Sequence, residues 1–268
     1  MARFVTFLSD YGLQDDFVGT CHGVIKRIAP DVQIVDLTHG IPPQNVLHGA
    51  LVLAKSLEYV PAGVHLAVVD PGVGTARRPL VLEDGEGRLY VGPDNGLLVP
   101  AAETGGGIAA AHELANPRYA LERVSRTFHG RDLFAPAAAH LALGVPAAEL
   151  GPPIDPEVLV RITIPEPEIS ASRIGATTLA VDRFGNVQLN VGRDVLGVPG
   201  TRVALDLPNG RRPAVVARTF ADVPYGELVV FEDSSGSVSL AVSGGSAAAA
   251  LGLASGERIW IEIDSNRA

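Results

Sequence analysis

The sequence predicts a two-part chain: an N-terminal, mostly parallel α/β sheet domain followed by a smaller C-terminal antiparallel β domain of barrel-like form. Three observations predict it. In the first 150 residues, short apolar runs alternate with amphipathic stretches, the rhythm of strand–helix crossovers. That rhythm stops at Gly151-Pro152-Pro153 and again at Pro165-Glu166-Pro167, which read as a linker. Beyond it, strand-like runs separated by turn signals dominate. The domains are therefore placed at 1–160 and 170–268.

Each element has its own warrant. Residues 4–8 form a short apolar run ending in Ser9-Asp10-Tyr11-Gly12, a buried strand entering a loop. Within 16–29, Phe17, Val18, Val24 and Ile25 mark one helical face, stopped by Pro30. A second strand is predicted at 32–37, a break at Ile41-Pro42-Pro43, a helix over 46–57 and a third strand over 64–69. Residues 80–82 and 88–91 read as a hairpin around Asp84-Gly85-Glu86-Gly87. An Ala-rich helix is predicted over 133–143. The second half carries strands at 174–181, 202–207, 214–219, 228–232, 238–242 and 258–263, with a short helix opened by Ser243-Gly244-Gly245-Ser246-Ala247.

Composition narrows the function classes. Apolar residues make up 47% and charged residues 19% of the 268, which excludes a disordered chain. The formal net charge of −9 argues against binding a nucleic-acid backbone, which needs a basic face. No apolar run approaches the roughly 20 residues of a membrane span. The N-terminus lacks the apolar stretch and cleavage site of a secretion signal. The single cysteine, Cys21, excludes an intrachain disulfide framework, so a cytoplasmic location is expected.

In open α/β sheets, ligands gather beyond the carboxyl ends of the strands. Asp10, the pair Thr38-His39, and Asp70 all fall at such ends. Each alone could be a plain turn; three in succession point to a ligand edge. Residues 70–78, Asp-Pro-Gly-Val-Gly-Thr-Ala-Arg-Arg, read as a ligand loop or a structural turn, but not as a P-loop or a G-x-G-x-x-G fingerprint. Gly92-Pro93-Asp94-Asn95-Gly96 is good type I turn material. In Thr127-Phe128-His129-Gly130-Arg131-Asp132, His129 suits a general base or a ligand contact, and Thr127 or Asp132 suits a helix cap. Asp182 and Asn186, at a strand end, suit an ammonium or a carboxylate, or a turn. Asp10, His22, His39, Asp70 and His129 are metal-ligand types, yet no H-x-H, H-E-x-x-H or D-x-D spacing is present, and no metal is expected.

Taken together, these segments resemble the S-adenosyl-L-methionine hydroxide adenosyltransferase family, whose relatives include the fluorinase and chlorinase. The resemblance rests on Ser9-Asp10-Tyr11-Gly12, Asp15-Asp16, Thr38-His39-Gly40-Ile41-Pro42-Pro43, Val69-Asp70-Pro71-Gly72-Val73-Gly74-Thr75, Gly92-Pro93-Asp94-Asn95-Gly96, Thr127-Phe128-His129-Gly130-Arg131-Asp132 and Asp182-Arg183-Phe184-Gly185-Asn186, in that order. It implies hydrolysis of S-adenosyl-L-methionine to adenosine and L-methionine, with no metal or organic cofactor. It also implies a homotrimer, with sites between one subunit's N-terminal domain and a neighbour's C-terminal domain. Asp70, Arg77 and His129 match the positions that hold or generate hydroxide. Asp10 matches the ribose contact and Asp15 a substrate-pocket position. Asp182 and Asn186 match the contacts to the methionine amino and carboxylate ends, with Ser234 and Ser235 on the same end. Ser246 and Ala247 match the adenine strip.

The chain departs from the pattern at Ser243 and Ser246, where Asn is expected, and at Gln44, where the fluorinase has Trp. Hydroxide is expected over halide because the halide enzymes carry Tyr at the position of Asp70 and lack His at 129, and a carboxylate would repel a halide. Three rival readings stay open here: a non-catalytic S-adenosyl-L-methionine or adenosine binder, a metal-dependent hydrolase, and adenosyl transfer to a halide.

Overall fold

The computed structural model describes residues 4–263, in two compact units that divide after Ile162. The first unit contains β1 (Phe4–Ser9), α1 (Phe17–Ile28), β2 (Gln33–Thr38), α2 (Val46–Ser56), β3 (Val64–Val68), β4 (Pro79–Asp84), β5 (Leu89–Pro93), α3 (Val99–Thr104), β6 (Ile108–Glu113) and α4 (Ala135–Ala142). Its six strands run in the order β2-β1-β3-β5-β4-β6. The first four are parallel, and β4 runs antiparallel to both β5 and β6.

Both faces of this sheet are covered, so its central strands are apolar on both sides. Val5, Phe7, Val64, Leu66 and Val68 pack with α1 and α4 in one core. Leu8, Ala67, Val69, Leu82 and Tyr90 pack with α2 and α3 in the other. Helix α1 forms because Val18, Cys21, Val24 and Ile25 recur on one face, all buried. The Ala-rich α4 buries seven of its eight residues, since small side chains let it lie close against the sheet. The hairpin of β4 and β5 is locked by Asp84, which accepts from Glu86 N–H (2.9 Å), Arg88 N–H (2.8 Å) and Tyr90 O–H (2.7 Å).

The second unit contains β7 (Glu168–Ile169), β8 (Arg173–Val181), β9 (Val187–Gly192), β10 (Arg202–Leu207), β11 (Gly210–Val216), β12 (Leu228–Glu232), β13 (Ser237–Val242), α5 (Ala247–Leu251) and β14 (Arg258–Ile263). Strands β14-β10-β11-β12-β13-β9-β8 close into a seven-stranded barrel through a second pairing of β14 with β8, and β7 lies against β8. Alternate residues such as Ile174, Val187, Leu189, Val203, Leu205, Leu240 and Ile261 fill its interior. The barrel is not wholly antiparallel: β11 and β12 run parallel where Val215 and Val216 meet Val229 and Val230.

Beyond that parallel pair, strands β6, β7 and β9 and helix α3 were not expected from the sequence. Strand β11 starts earlier than 214 and admits Pro213, which is tolerated because β12 joins only at Val215–Val216 and leaves that stretch one neighbour.

Candidate active site

The parallel strands end on one edge of the N-terminal sheet, and this is why Asp10, His39, Asp70 and Asp94 share it. Three predicted residues meet there. Arg77 Nε donates to Asp70 Oδ1 (2.9 Å) and Oδ2 (3.0 Å), and its Nη2 also reaches Oδ2. The same Nη2 lies 2.9 Å from His129 Nδ1. Arginine has no acceptor and stays protonated, so it donates and Nδ1 accepts. The neutral imidazole therefore carries its proton on Nε2. Burial and the adjacent Arg77 charge hold the His129 pKa below its ordinary value, against a smaller upward pull from Asp70. The Arg77 and Asp70 side chains are 9% and 6% exposed, so this ion pair is largely desolvated. The guanidinium also rests 5.1 Å from the buried Phe134 ring.

Local structure explains how residues 52 apart in sequence meet. Asp70 lies two residues past the end of β3, and turns bonded at Val73 N–H to Asp70 O and Thr75 N–H to Gly72 O bring Arg77 back over it. Gly74 has φ +77°, and a Cβ there would sit 2.4 Å from the Arg126 carbonyl oxygen. The loop of Arg77 thus lies directly against the loop of His129. The His129 loop is shaped by Asp132, which is fully buried and accepts from Ser125 N–H (2.8 Å) and Arg131 Nε (2.6 Å). Burial alone would raise its carboxyl pKa, but these donors hold it below the ordinary range. Asp132 does not cap a helix, as the sequence suggested. It lies inside a π-helical turn, Gly130–Phe134, that runs straight into α4.

Asp10 lies at the end of β1, and its Oδ2 accepts from Gln44 N–H (2.8 Å). Gln44 is the one non-glycine described residue with positive φ (+65°), a strained backbone spent on aiming that amide at the carboxylate. Asp15 is exposed on the loop before α1. Tyr11 carried no assigned role in the sequence, yet it packs edge-on against Phe7 and Phe128. Burial, with the charges of Asp10 and Asp70 among the other contributors, drives its pKa far upward, so the phenol stays protonated. A Cβ on Gly130 would meet the Tyr11 hydroxyl at 2.1 Å, so only glycine lets that oxygen approach. The signal was available, since Tyr11 stands beside Asp10 in Ser9-Asp10-Tyr11-Gly12.

Asp94 is structural. It binds Arg78 Nε (2.9 Å) and Val160 N–H (2.9 Å) and fastens the segment after α4 to the sheet.

The barrel carries the remaining predicted residues. Asp182 Oδ1 accepts from Phe184 N–H and Asn186 N–H, both 2.9 Å, and Oδ2 accepts from Asn186 Nδ2 (2.7 Å). Ser246 caps α5 through Ala249 N–H (3.1 Å), and a Cβ on Gly185 would lie 2.0 Å from its hydroxyl. Ala248 N–H donates to Gly185 O (2.9 Å). The Asp182–Asn186 turn and the Ser246-Ala247 helix start therefore form one patch, with Ala247 fully buried beneath it. Ser234 and Ser235 lie in the 233–236 turn, and Ser234 is exposed. Ser235 Oγ donates to Asp233 Oδ1 (2.5 Å) and accepts from Gln188 Nε2 (3.0 Å), which also donates to Asp233 Oδ2 (2.7 Å), so this turn is tied to the start of β9, two residues past Asn186. Cys21 is buried, and burial pushes its thiol up to about 12.

Comparison with known proteins follows the same division. Residues 5–151 match the family model of the SAM hydroxide adenosyltransferase N-terminal domain, and residues 176–260 match that of the C-terminal domain. The chain is 50% identical to an (R)-S-adenosyl-L-methionine hydrolase of Salinispora tropica, covering 96% of this chain and 97% of that protein. It is 42% identical to one of Thermus thermophilus (95% and 97% covered) and 30% identical to a fluorinase of Nocardia brasiliensis (97% and 96%). Among solved structures, an uncharacterized conserved protein from Thermotoga maritima aligns with TM-score 0.88 at 36% identity, covering 96% of this chain and 99% of that one. A conserved hypothetical protein from Thermus thermophilus aligns with TM-score 0.76 at 38% identity (98% and 100% covered).

Proposed function

Because the chain belongs to the SAM hydroxide adenosyltransferase family, we propose that it hydrolyses S-adenosyl-L-methionine to adenosine and L-methionine. A water oxygen forms the new bond to C5′ as the C5′–sulfur bond breaks. The sulfonium keeps the bonding pair and leaves as neutral methionine thioether, so departure needs no acid. The scarce species is hydroxide, because free water ionises only near pKa 15.7.

The observation that carries this reading is the Asp70–Arg77–His129 chain. Asp70 supplies the carboxyl of the three groups, and its Oδ1, which accepts from Arg77 Nε alone, keeps a second lone pair. Asp70 is assigned as the acceptor of the water proton. His129 Nε2–H and the Arg77 guanidinium are assigned to stabilise the hydroxide as it forms. Asp10, its Oδ2 fixed by Gln44, is assigned to the ribose hydroxyls, and Asp15 to the pocket rim. On the barrel, Asp182 and Asn186 are assigned to the amino-acid end, and Ser246 and Ala247 to adenine. No metal or organic cofactor enters this mechanism. The working assembly is proposed to be a homotrimer in the cytoplasm. Among the described residues no helix is long and apolar enough to cross a membrane.

The test is incubation of pure protein with S-adenosyl-L-methionine in water labelled with heavy oxygen. Mass analysis is expected to find the label in adenosine and none in methionine. Binding without turnover would overturn the proposal in favour of a sensor. A halogenated nucleoside formed in halide would reassign the reaction to transfer.

A further inference from the structure

Three side chains that the hydrolysis does not use meet at the open edge of the N-terminal sheet. His22 lies on α1, Asp36 on the edge strand β2, and His39 just after that strand. His22 Nε2 is 2.9 Å from Asp36 Oδ1, and His39 Nε2 is 3.1 Å from the same oxygen. All three candidate ligand atoms fall within 4.8 Å of one another.

His39 adds an independent observation. Its side chain is only 4% exposed. Nδ1 shares a 2.7 Å hydrogen bond with Ser9 Oγ, which also accepts from Tyr11 N–H. Nε2 is buried and, although near Asp36, is not aligned to bond it, so it is left without a hydrogen-bond partner. Leaving such an atom unsatisfied is costly unless something else fills the role. With Nδ1–H donated to Ser9, Nε2 presents a lone pair toward Asp36 and His22. An imidazole anchored through its far nitrogen is the arrangement that orients metal-bound histidines.

We propose that His22, Asp36 and His39 bind a divalent transition-metal ion of the zinc type through two imidazole nitrogens and one carboxylate oxygen. Two nitrogen donors favour zinc or cobalt over magnesium or calcium, which take oxygen. At bond lengths of about 2.0–2.2 Å, ligand atoms around a tetrahedral ion stand roughly 3.4 Å apart, so small outward movements of the half-exposed Asp36 and His22 complete the site. The ion would have a structural role. His39 O accepts from Gly12 N–H (2.8 Å), so a metal here would tie α1 and the end of β2 to the loop that carries Asp10. This inference does not depend on the proposed reaction.

The test uses the full-length protein stripped with a chelator and titrated with Zn²⁺ by calorimetry and with Co²⁺ by visible absorption. Saturable, stoichiometric binding is expected, with the intense bands of a low-symmetry nitrogen–oxygen cobalt site. His22→Ala and Asp36→Asn, both at solvent-accessible side chains, should each weaken binding by at least about 10-fold. His129→Ala and Asp70→Asn should bind as the parent does. Metal-free melting curves of the four variants check that each is folded. Absence of saturable binding would overturn the proposal, leaving Asp36 as a simple hydrogen-bond bridge between two histidines. So would binding that survives both edge substitutions, or binding lost with His129, which would place the ion at the reaction site.

Discussion

At the scale of single residues, the proton on His129 is dictated by its neighbour, because a guanidinium can only donate. Replacing Arg77 with lysine removes the planar fork that holds Asp70 through two oxygens and still reaches the imidazole. Arg77→Lys is expected to lower kcat about 10²–10³-fold with little change in KM, as loss of one pre-aimed donor does elsewhere. Steady-state kinetics check this, and an equal change in both constants would mean that Arg77 acts in binding. The acid side of the pH profile carries a second expectation. The His129 pKa lies below the ordinary 6.5, so the ring is neutral at and above that pH. Once protonated it can no longer accept from Arg77. Turnover should therefore hold at neutral pH and fall as pH drops through the lowered value. In His129→Gln that acid limb should be lost.

At the scale of elements, two glycines do work that no side chain can share. Gly74 combines φ +77° with the contact to Arg126 O, so Gly74→Ala must both strain the backbone and push two loops apart. The strain alone costs about 1–2 kcal/mol. The separation should cost more in kcat than in melting temperature, because it moves His129 from Arg77 without opening either core. Paired kinetics and calorimetry test that split. Gly130 plays the matching part on the other loop, where it admits the Tyr11 hydroxyl. A different element carries acid sensitivity. His65, on β3, is wholly buried, shares a 2.8 Å hydrogen bond with Thr6 Oγ1, and is held down to about 4 by burial. Its unfolded-state pKa is higher than its folded one, so the unfolded chain binds the extra proton as pH falls. The stability it contributes is full above about pH 6.5 and is lost progressively toward pH 4, about 3 kcal/mol in all at about 1.4 kcal/mol per unit. Denaturant unfolding between those pH values should show this slope, and His65→Leu should flatten it.

Across the whole molecule, what the sequence made legible is what repeats locally. Phe4–Ser9 and Val64–Val68 are largely apolar runs followed within two residues by Asp10 and Asp70, so the ligand edge could be read from strand ends alone. The Asp84 hairpin announced itself through its turn residues. Strand β6 did not, because Ile-Ala-Ala-Ala-His-Glu has neither alternation nor a run of branched side chains, and its pairing with β4 decides it. Strand β9 alternates Val187, Leu189 and Val191, but it follows so closely on the Asp182 turn that the turn masked it. The meeting of Arg77 with His129 had no local signature, being set by Gly74 and Asp132 in three dimensions. Nor did sequence distance reveal that Gln188 ties the 233–236 turn to the start of β9, just after the 182–186 turn. The homotrimer is a statement about the assembled molecule, and sedimentation equilibrium should return three times the chain mass. A monomer that remains fully active would remove it.

The barrel's closure by β14, which pairs with β10 on one side and β8 on the other, bears on how the protein is made. The stave that completes the ring is the last one the ribosome releases. Until Arg258–Ile263 has emerged, two half-satisfied rims wait for whatever strand arrives first. A chain cut short ahead of that segment is expected to expose both rims and self-associate.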